Sequence, residues 1–124
     1  MNDKDTKYSN YVLEENSSIN AAMEAITLNH RGAVLVVNNL NQVVGVVSDG
    51  DIRRAMVKGV IMEAPVRSCI NYNYIFLLAG SADKGGRKLF AEHLEINLLP
   101  VIGENNKLVD LIIRGGAHGF KREG

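Results

Sequence analysis

Much of this sequence occurs twice. Written without gaps, AVLVVNNLNQVVGVVSDGD (residues 33–51) lies over LLPVIGENNKLVDLIIRGG (residues 98–116) at an offset of 65, with the apolar runs and the polar turn between them in the same places. A duplication constrains the fold more than any single motif. One copy of roughly 55–65 residues could bury little surface alone, whereas two copies stacked sheet to sheet share a core. Such a pair carries a pseudo-twofold axis and two equivalent clefts, and a cleft between repeats is a natural place for a small ligand.

Each copy has a readable order of elements. In the first, YVLEE is a short strand. Ile19, Ala22, Met23 and Ile26 recur at helical spacing, with Ser17 and Ser18 where an N-cap hydroxyl belongs and His30-Arg31-Gly32 as the stop. The runs VLVV and VVGVV, separated by NNLNQ, form a hairpin. Ile52, Ala55 and Met56 are the apolar face of a short helix ending at Gly59. In the second copy IFLLAG is a strand and ADKGGRKLFAEHLE a weaker helix, with Leu89, Phe90 and Leu94 inward and Gly85-Gly86 loosening its first turn. Ile19, Met23, Leu35, Val37, Val44, Val46 and Leu99 are core candidates. The expected division is a polar segment at 1–10, a first repeat at 11–66, a second at 67–116 and a tail at 117–124. Pro65 ends the first unit, and Asn71 and Asn73 open the second.

Composition narrows the function. Among 124 residues, 14 Lys+Arg balance 14 Asp+Glu, so no basic field drives nucleic-acid binding. The single cysteine, Cys69, excludes an intramolecular disulfide framework and fits a reducing compartment. The N-terminal MNDKDTKYSN has no signal-peptide core, and no apolar run approaches the ~20 residues of a membrane span. A cytoplasmic protein without a membrane partner is expected. His30, His93 and His118 share no ligand spacing, GGRK at residues 85–88 lacks the phosphate-loop frame, and no nucleophile–base pair stands out, so an enzyme is not expected.

The chemistry concentrates in GVVSDGD, residues 45–51, where an apolar strand ends in a hydroxyl and two acids. Asp49 and Asp51 can cap the following helix. A metal at DGD is disfavoured, because no third carboxylate or EF-hand spacing follows. Of Arg53 and Arg54 only one can face a ligand, since a helix turns ~100° per residue; Arg53 is taken as the phosphate contact.

The repeated strand-helix-strand-strand-helix order, with Gly-h-h-Ser/Thr-x-x-Asp (h apolar) closing the third strand, resembles a CBS domain pair, or Bateman module. The wording SDGDIRRAM is most similar to pairs fused to sugar-phosphate nucleotidyltransferases, and similar wording occurs behind sugar-phosphate isomerases. The resemblance implies an α/β fold of the α+β type, with tandem β-α-β-β-α repeats. It implies a regulatory module that binds AMP, ADP, ATP or S-adenosylmethionine, needs no cofactor, and forms a homodimer through the helices at 52–57 and 89–94. Carried over residue by residue, Ser48 contacts phosphate, Asp51 binds the ribose diol, and the backbone and small side chains at Gly32, Ala33 and Val34 line the adenine. A carboxylate can accept from two vicinal hydroxyls, and a helix N-terminus suits phosphate. In the second copy Gly45, Ser48 and Asp51 are matched by Asp110, Ile113 and Gly116, so at most one good site per chain is expected. With no catalytic domain in this stretch, it reads as an excised regulatory region or a free-standing pair. A ligand-free structural module is the alternative.

Overall fold

A computed structural model describes residues 10–80 and 82–115, and the side chains of all of these but 82–84. The order is β1 (Val12–Glu14), α1 (Ile19–Asn29), β2 (Ala33–Val37), β3 (Val43–Ser48), α2 (Asp49–Val57), a 3-10 turn (Val66–Cys69), β4 (Leu77–Leu78), α3 (Ala82–Glu92), β5 (Leu98–Ile102), a second 3-10 turn (Glu104–Asn106) and β6 (Leu108–Ile113). This is a mixed α/β fold built on two three-stranded sheets, β1-β2-β3 and β4-β5-β6. In each sheet the outer strand runs parallel to the middle one and the hairpin partner antiparallel.

The duplication holds at the level of register. Ala33 pairs Ser48 as Leu98 pairs Ile113, and the irregularity between Val36 and Val37 recurs between Val101 and Ile102. The two turns meet where such symmetry requires self-matched contacts. Gln42 bridges to Lys107. The Asn41 side chain donates to the Leu108 carbonyl at 3.3 Å, and the Asn106 side chain donates to the Val43 carbonyl at 2.9 Å. Asn41 and Asn106 both sit at φ 63°, a left-handed conformation that asparagine tolerates.

One apolar cluster takes Leu35, Val37 and Val43 from the first sheet and Leu98, Ile102, Leu108, Leu111 and Ile113 from the second. Burying a side chain such as Leu35 or Leu111 contributes about 1.5–3 kcal/mol, so joining the repeats stabilises both. A second cluster lies under α1, where Ile19, Ala22 and Ile26 meet Val34, Val36 and Ile52. Met23, expected in the core, is 37% exposed; Ala25 and Asn29 are buried from that helix instead. Asn29 is polar but satisfied, donating to the carbonyls of Asn10 and Ala33.

The helix boundaries follow local chemistry. The Ser18 hydroxyl caps α1, and His30 closes it in the left-handed region at φ 59°. In α3 the two glycines mark close helix–sheet packing as well as weak propensity: a Cβ on Gly85 would stand 2.6 Å from Leu77 Cδ2. Leu94, expected inward, lies beyond the helix and is 78% exposed. The closing helix of the second repeat, the tail at 117–124 and the polar segment up to residue 9 fall outside the described residues, as do Gly116 and His118.

The chain between the repeats packs back onto the first. Pro65 bridges to Ser18, Val66 N–H donates to the Ser17 carbonyl, and Val66 is fully buried. Asn71 then runs antiparallel beside β3, exchanging hydrogen bonds with Val46 at 2.8 and 3.1 Å.

Candidate functional site

Strand β3 ends at Ser48, and α2 begins at the next residue. Ser48 is the N-cap, in extended conformation, and its Oγ accepts from the Asp51 N–H at 3.1 Å. The Asp51 carboxylate reaches back: Oδ2 accepts from the Ser48 N–H and from the Ser48 hydroxyl, both at 2.9 Å. This is a complete capping box, with the acid at the third helical position. The helix therefore starts earlier than its apolar spacing suggested, and Ser48 rather than either acid is the cap. Asp49 serves another contact, its N–H donating to the Gly32 carbonyl at 3.0 Å.

The same turn forms one wall of a cleft of about 340 Å³ between the repeats. The first repeat contributes Arg31, Gly32, Ala33, Val46, Ser48, Asp51 and Arg54, and Asn71 joins from the connecting chain. The second repeat contributes Glu95, Ile96 and Asn97. The two walls are tied by Asn97, whose side chain donates to the Arg31 carbonyl at 2.9 Å. The volume lies at the small end of the ~300–1,000 Å³ typical of small-molecule sites. Two arginines, Arg31 and Arg54, and two acids, Asp51 and Glu95, line it. Arg31 Nε is buried and has no hydrogen-bond partner among the described residues.

Four of the six residues named from sequence, Gly32, Ala33, Ser48 and Asp51, are brought together here. Val34 is not among them: it is fully buried beneath α1, because neighbouring residues of a strand face opposite sides. Arg53 is also displaced. It lines a surface depression with Arg54, Val57 and Lys58 but not the cleft, whereas Arg54, three residues after Asp51, lines both and places Nη2 2.7 Å from Asp51 Oδ1. Burial, and after it the Asp51 carboxylate, push the Cys69 thiol up from its ordinary value. Cys69 is half-buried and its Sγ contacts the Val66 carbonyl at 3.5 Å, as suits a small packing residue.

The corresponding positions of the second repeat are built differently. Ile113, the mate of Ser48, is buried in the shared core. Arg114, the mate of Asp49, turns its guanidinium onto the end of α3, donating to the carbonyls of Phe90, His93 and Ile96 at 2.8–2.9 Å and lying 4.6 Å from the Phe90 ring centre. Its backbone N–H keeps the duplicated contact, bonding to the Asn97 carbonyl as Asp49 does to that of Gly32.

A CBS domain family model matches residues 7–58. Among curated proteins the chain is similar to an uncharacterised protein of Helicobacter pylori, with 30% identity over 107 residues covering 82% of this chain and 31% of that protein. It is also similar to arabinose 5-phosphate isomerase GutQ of Salmonella typhi, with 33% identity over 96 residues covering 77% and 30%. The chain thus spans less than a third of the length of these relatives. Among solved structures it resembles a CBS domain pair/ACT domain protein from Thermotoga maritima, with a TM-score of 0.70 and 17% identity over 83% of this chain and 80% of that one. A CBS domain protein from Pyrobaculum aerophilum, solved in complex with AMP, gives 0.65 and 22% over 84% and 79%. The family model on the first repeat and the fold of the two repeats together support a CBS domain pair. Among the described residues no helix is long and apolar enough to cross a membrane.

Proposed function

We propose that this chain is a regulatory, non-catalytic module that binds an adenine nucleotide in the cleft between its repeats. The observation that carries the reading is the convergence of Ser48 and Asp51, at the start of α2, on a cleft closed from the other side by Glu95, Ile96 and Asn97. The AMP complex of the Pyrobaculum aerophilum protein supports the choice of an adenosyl ligand. Gly32 and Ala33 would lie against the base, Asp51 would take the ribose, and Ser48 with Arg54 would take phosphate. The substitution of buried Ile113 for Ser48 supports one site per chain. The exact register between copies supports the division into repeats at 11–66 and 67–116.

Binding would act by shifting a population between arrangements of the repeats, or of two chains, in favour of the one with higher ligand affinity. A homodimer across α2 is part of this proposal. Met56 and Val57 are 46% and 85% exposed there, whereas Ile52 is buried and unavailable. The regulated partner would be a sugar-phosphate enzyme in a reducing, cytoplasmic setting, with a nucleotidyltransferase as the first reading. The similarity to arabinose 5-phosphate isomerase GutQ favours a sugar-phosphate isomerase as the second.

A thermal-shift panel separates this from a ligand-free structural module. AMP or ATP at a hundred times its dissociation constant is expected to add ~2.7 kcal/mol, a rise on the order of 10 °C for a chain of this size. An unchanged midpoint with AMP, ATP and S-adenosylmethionine would establish the structural role instead.

A further inference from the structure

Asp51 has three of its roughly four acceptor positions engaged before any ligand arrives. A carboxylate offers about four acceptor positions, two on each oxygen. On Oδ2 both are taken, by the N–H and the hydroxyl of Ser48. On Oδ1 one is taken by Arg54. A ribose diol that bridges both oxygens therefore has to displace the Ser48 hydroxyl hydrogen, and it competes with the guanidinium for the other oxygen.

Arg54 occupies an electrostatically awkward place. Its guanidinium folds back over the first turn of α2, across Gly50, where an added Cβ would stand 3.2 Å from Nη1. A cation at the N-terminus of a helix is opposed by the helix dipole. Among the described residues Asp51 alone holds it there, through one bond from a side chain that is 70% exposed. A phosphate at the same place reverses the balance: the dipole favours it, the guanidinium gains a partner of matching geometry, and the Ser48 hydroxyl can turn to donate to it while its oxygen still accepts from the Asp51 N–H.

We infer that the Asp51 carboxylate is held by its own neighbours and is released by phosphate: the cleft selects phosphorylated nucleosides over adenosine and over S-adenosylmethionine, with Arg54 as the residue that sets the preference. This deepens the adenosyl reading above and rests on it. The 5′ substituent draws Ser48 and Arg54 off Asp51, which frees the carboxylate for the diol, so phosphate and ribose recognition are coupled. Adenosine has nothing to draw them away. S-Adenosylmethionine places a sulfonium cation next to the 5′ carbon, facing both the positive end of α2 and Arg54.

Isothermal titration of the 124-residue chain with AMP, adenosine and S-adenosylmethionine, repeated on Arg54→Gln and Arg54→Lys, tests this. Wild type is expected to bind AMP at least about tenfold more tightly than either other compound. Arg54→Gln is expected to lose about tenfold or more for AMP and to gain about twofold for adenosine, because an exposed ion pair that competes with the diol is gone. Arg54→Lys keeps the charge and should fall between. Equal losses for AMP and adenosine in Arg54→Gln, an unchanged AMP affinity, or wild-type binding of S-adenosylmethionine as tight as AMP would overturn the selectivity and leave the nucleotide site standing. No binding of any of the three to wild type would instead remove the adenosyl reading, and this inference with it.

Discussion

Asp51→Ala is expected to weaken AMP binding by about 100-fold or more while the chain still folds. The assigned contact is a carboxylate accepting from two ribose hydroxyls. Hydrogen bonds to a charged group contribute about 1.5–3 kcal/mol each, and two of them account for a factor of that order. The same side chain also closes the capping box through Ser48. Its removal should therefore cost about 1 kcal/mol of stability as well, far less than a domain's typical ~5–15 kcal/mol. Asp51→Asn separates the two roles: its amide oxygen can still accept from the Ser48 N–H, so stability should hold, while the neutral group binds the diol more weakly. Calorimetric titration and urea denaturation of both variants check this. AMP affinity unchanged in Asp51→Ala would remove the ribose role.

The largest stability effect is expected at the glycine of the same motif. A Cβ on Gly45 would stand 2.4 Å from Ile70 Cγ2 and 2.6 Å from the Asn71 carbonyl oxygen. The second of these is backbone and cannot rotate away. Gly45→Ala must push the connecting chain off β3 and break the paired hydrogen bonds between Val46 and Asn71. Overpacking of this kind costs about 1–3 kcal/mol, and each lost bond about 1 kcal/mol more. A loss of about 3–5 kcal/mol in urea denaturation is expected, with weaker AMP binding besides, since Asn71 lines the cleft. A variant as stable as wild type would show that the close approach is not maintained. The mate of Gly45 is Asp110, on β6, where no crossing strand lies among the described residues.

The duplication was legible because it is written in apolar runs and a polar turn, and these decide strand pairing. The offset read from the sequence is the offset of the hairpin registers, down to an irregularity that no residue pattern announces. Asp51 was separable from Asp49 by the motif alone. The Val34 side chain is the exception on the adenine wall: Ala33 faces the cleft, so on an alternating strand Val34 faces the core. Arg54, not Arg53, meets Asp51, because a helical residue three positions on lies over it and one two positions on does not. Glu95, Ile96 and Asn97 were missed, yet the offset contained a signal for two of them: Ile96 and Asn97 are the mates of Arg31 and Gly32, and a twofold arrangement brings such mates together across a cleft. Asn71 was not legible, because its place depends on a chain crossing that only the missing side chain at Gly45 permits.

The central claim is a single nucleotide site, made by the intact motif and absent where Ile113 replaces Ser48. The most direct measurement is the stoichiometry of AMP binding by isothermal titration calorimetry at protein concentrations well above the dissociation constant. The account predicts one tight AMP site per chain in the wild type and no tight site in Asp51→Ala. Two equivalent tight sites per chain, or one site that survives Asp51→Ala, would contradict it.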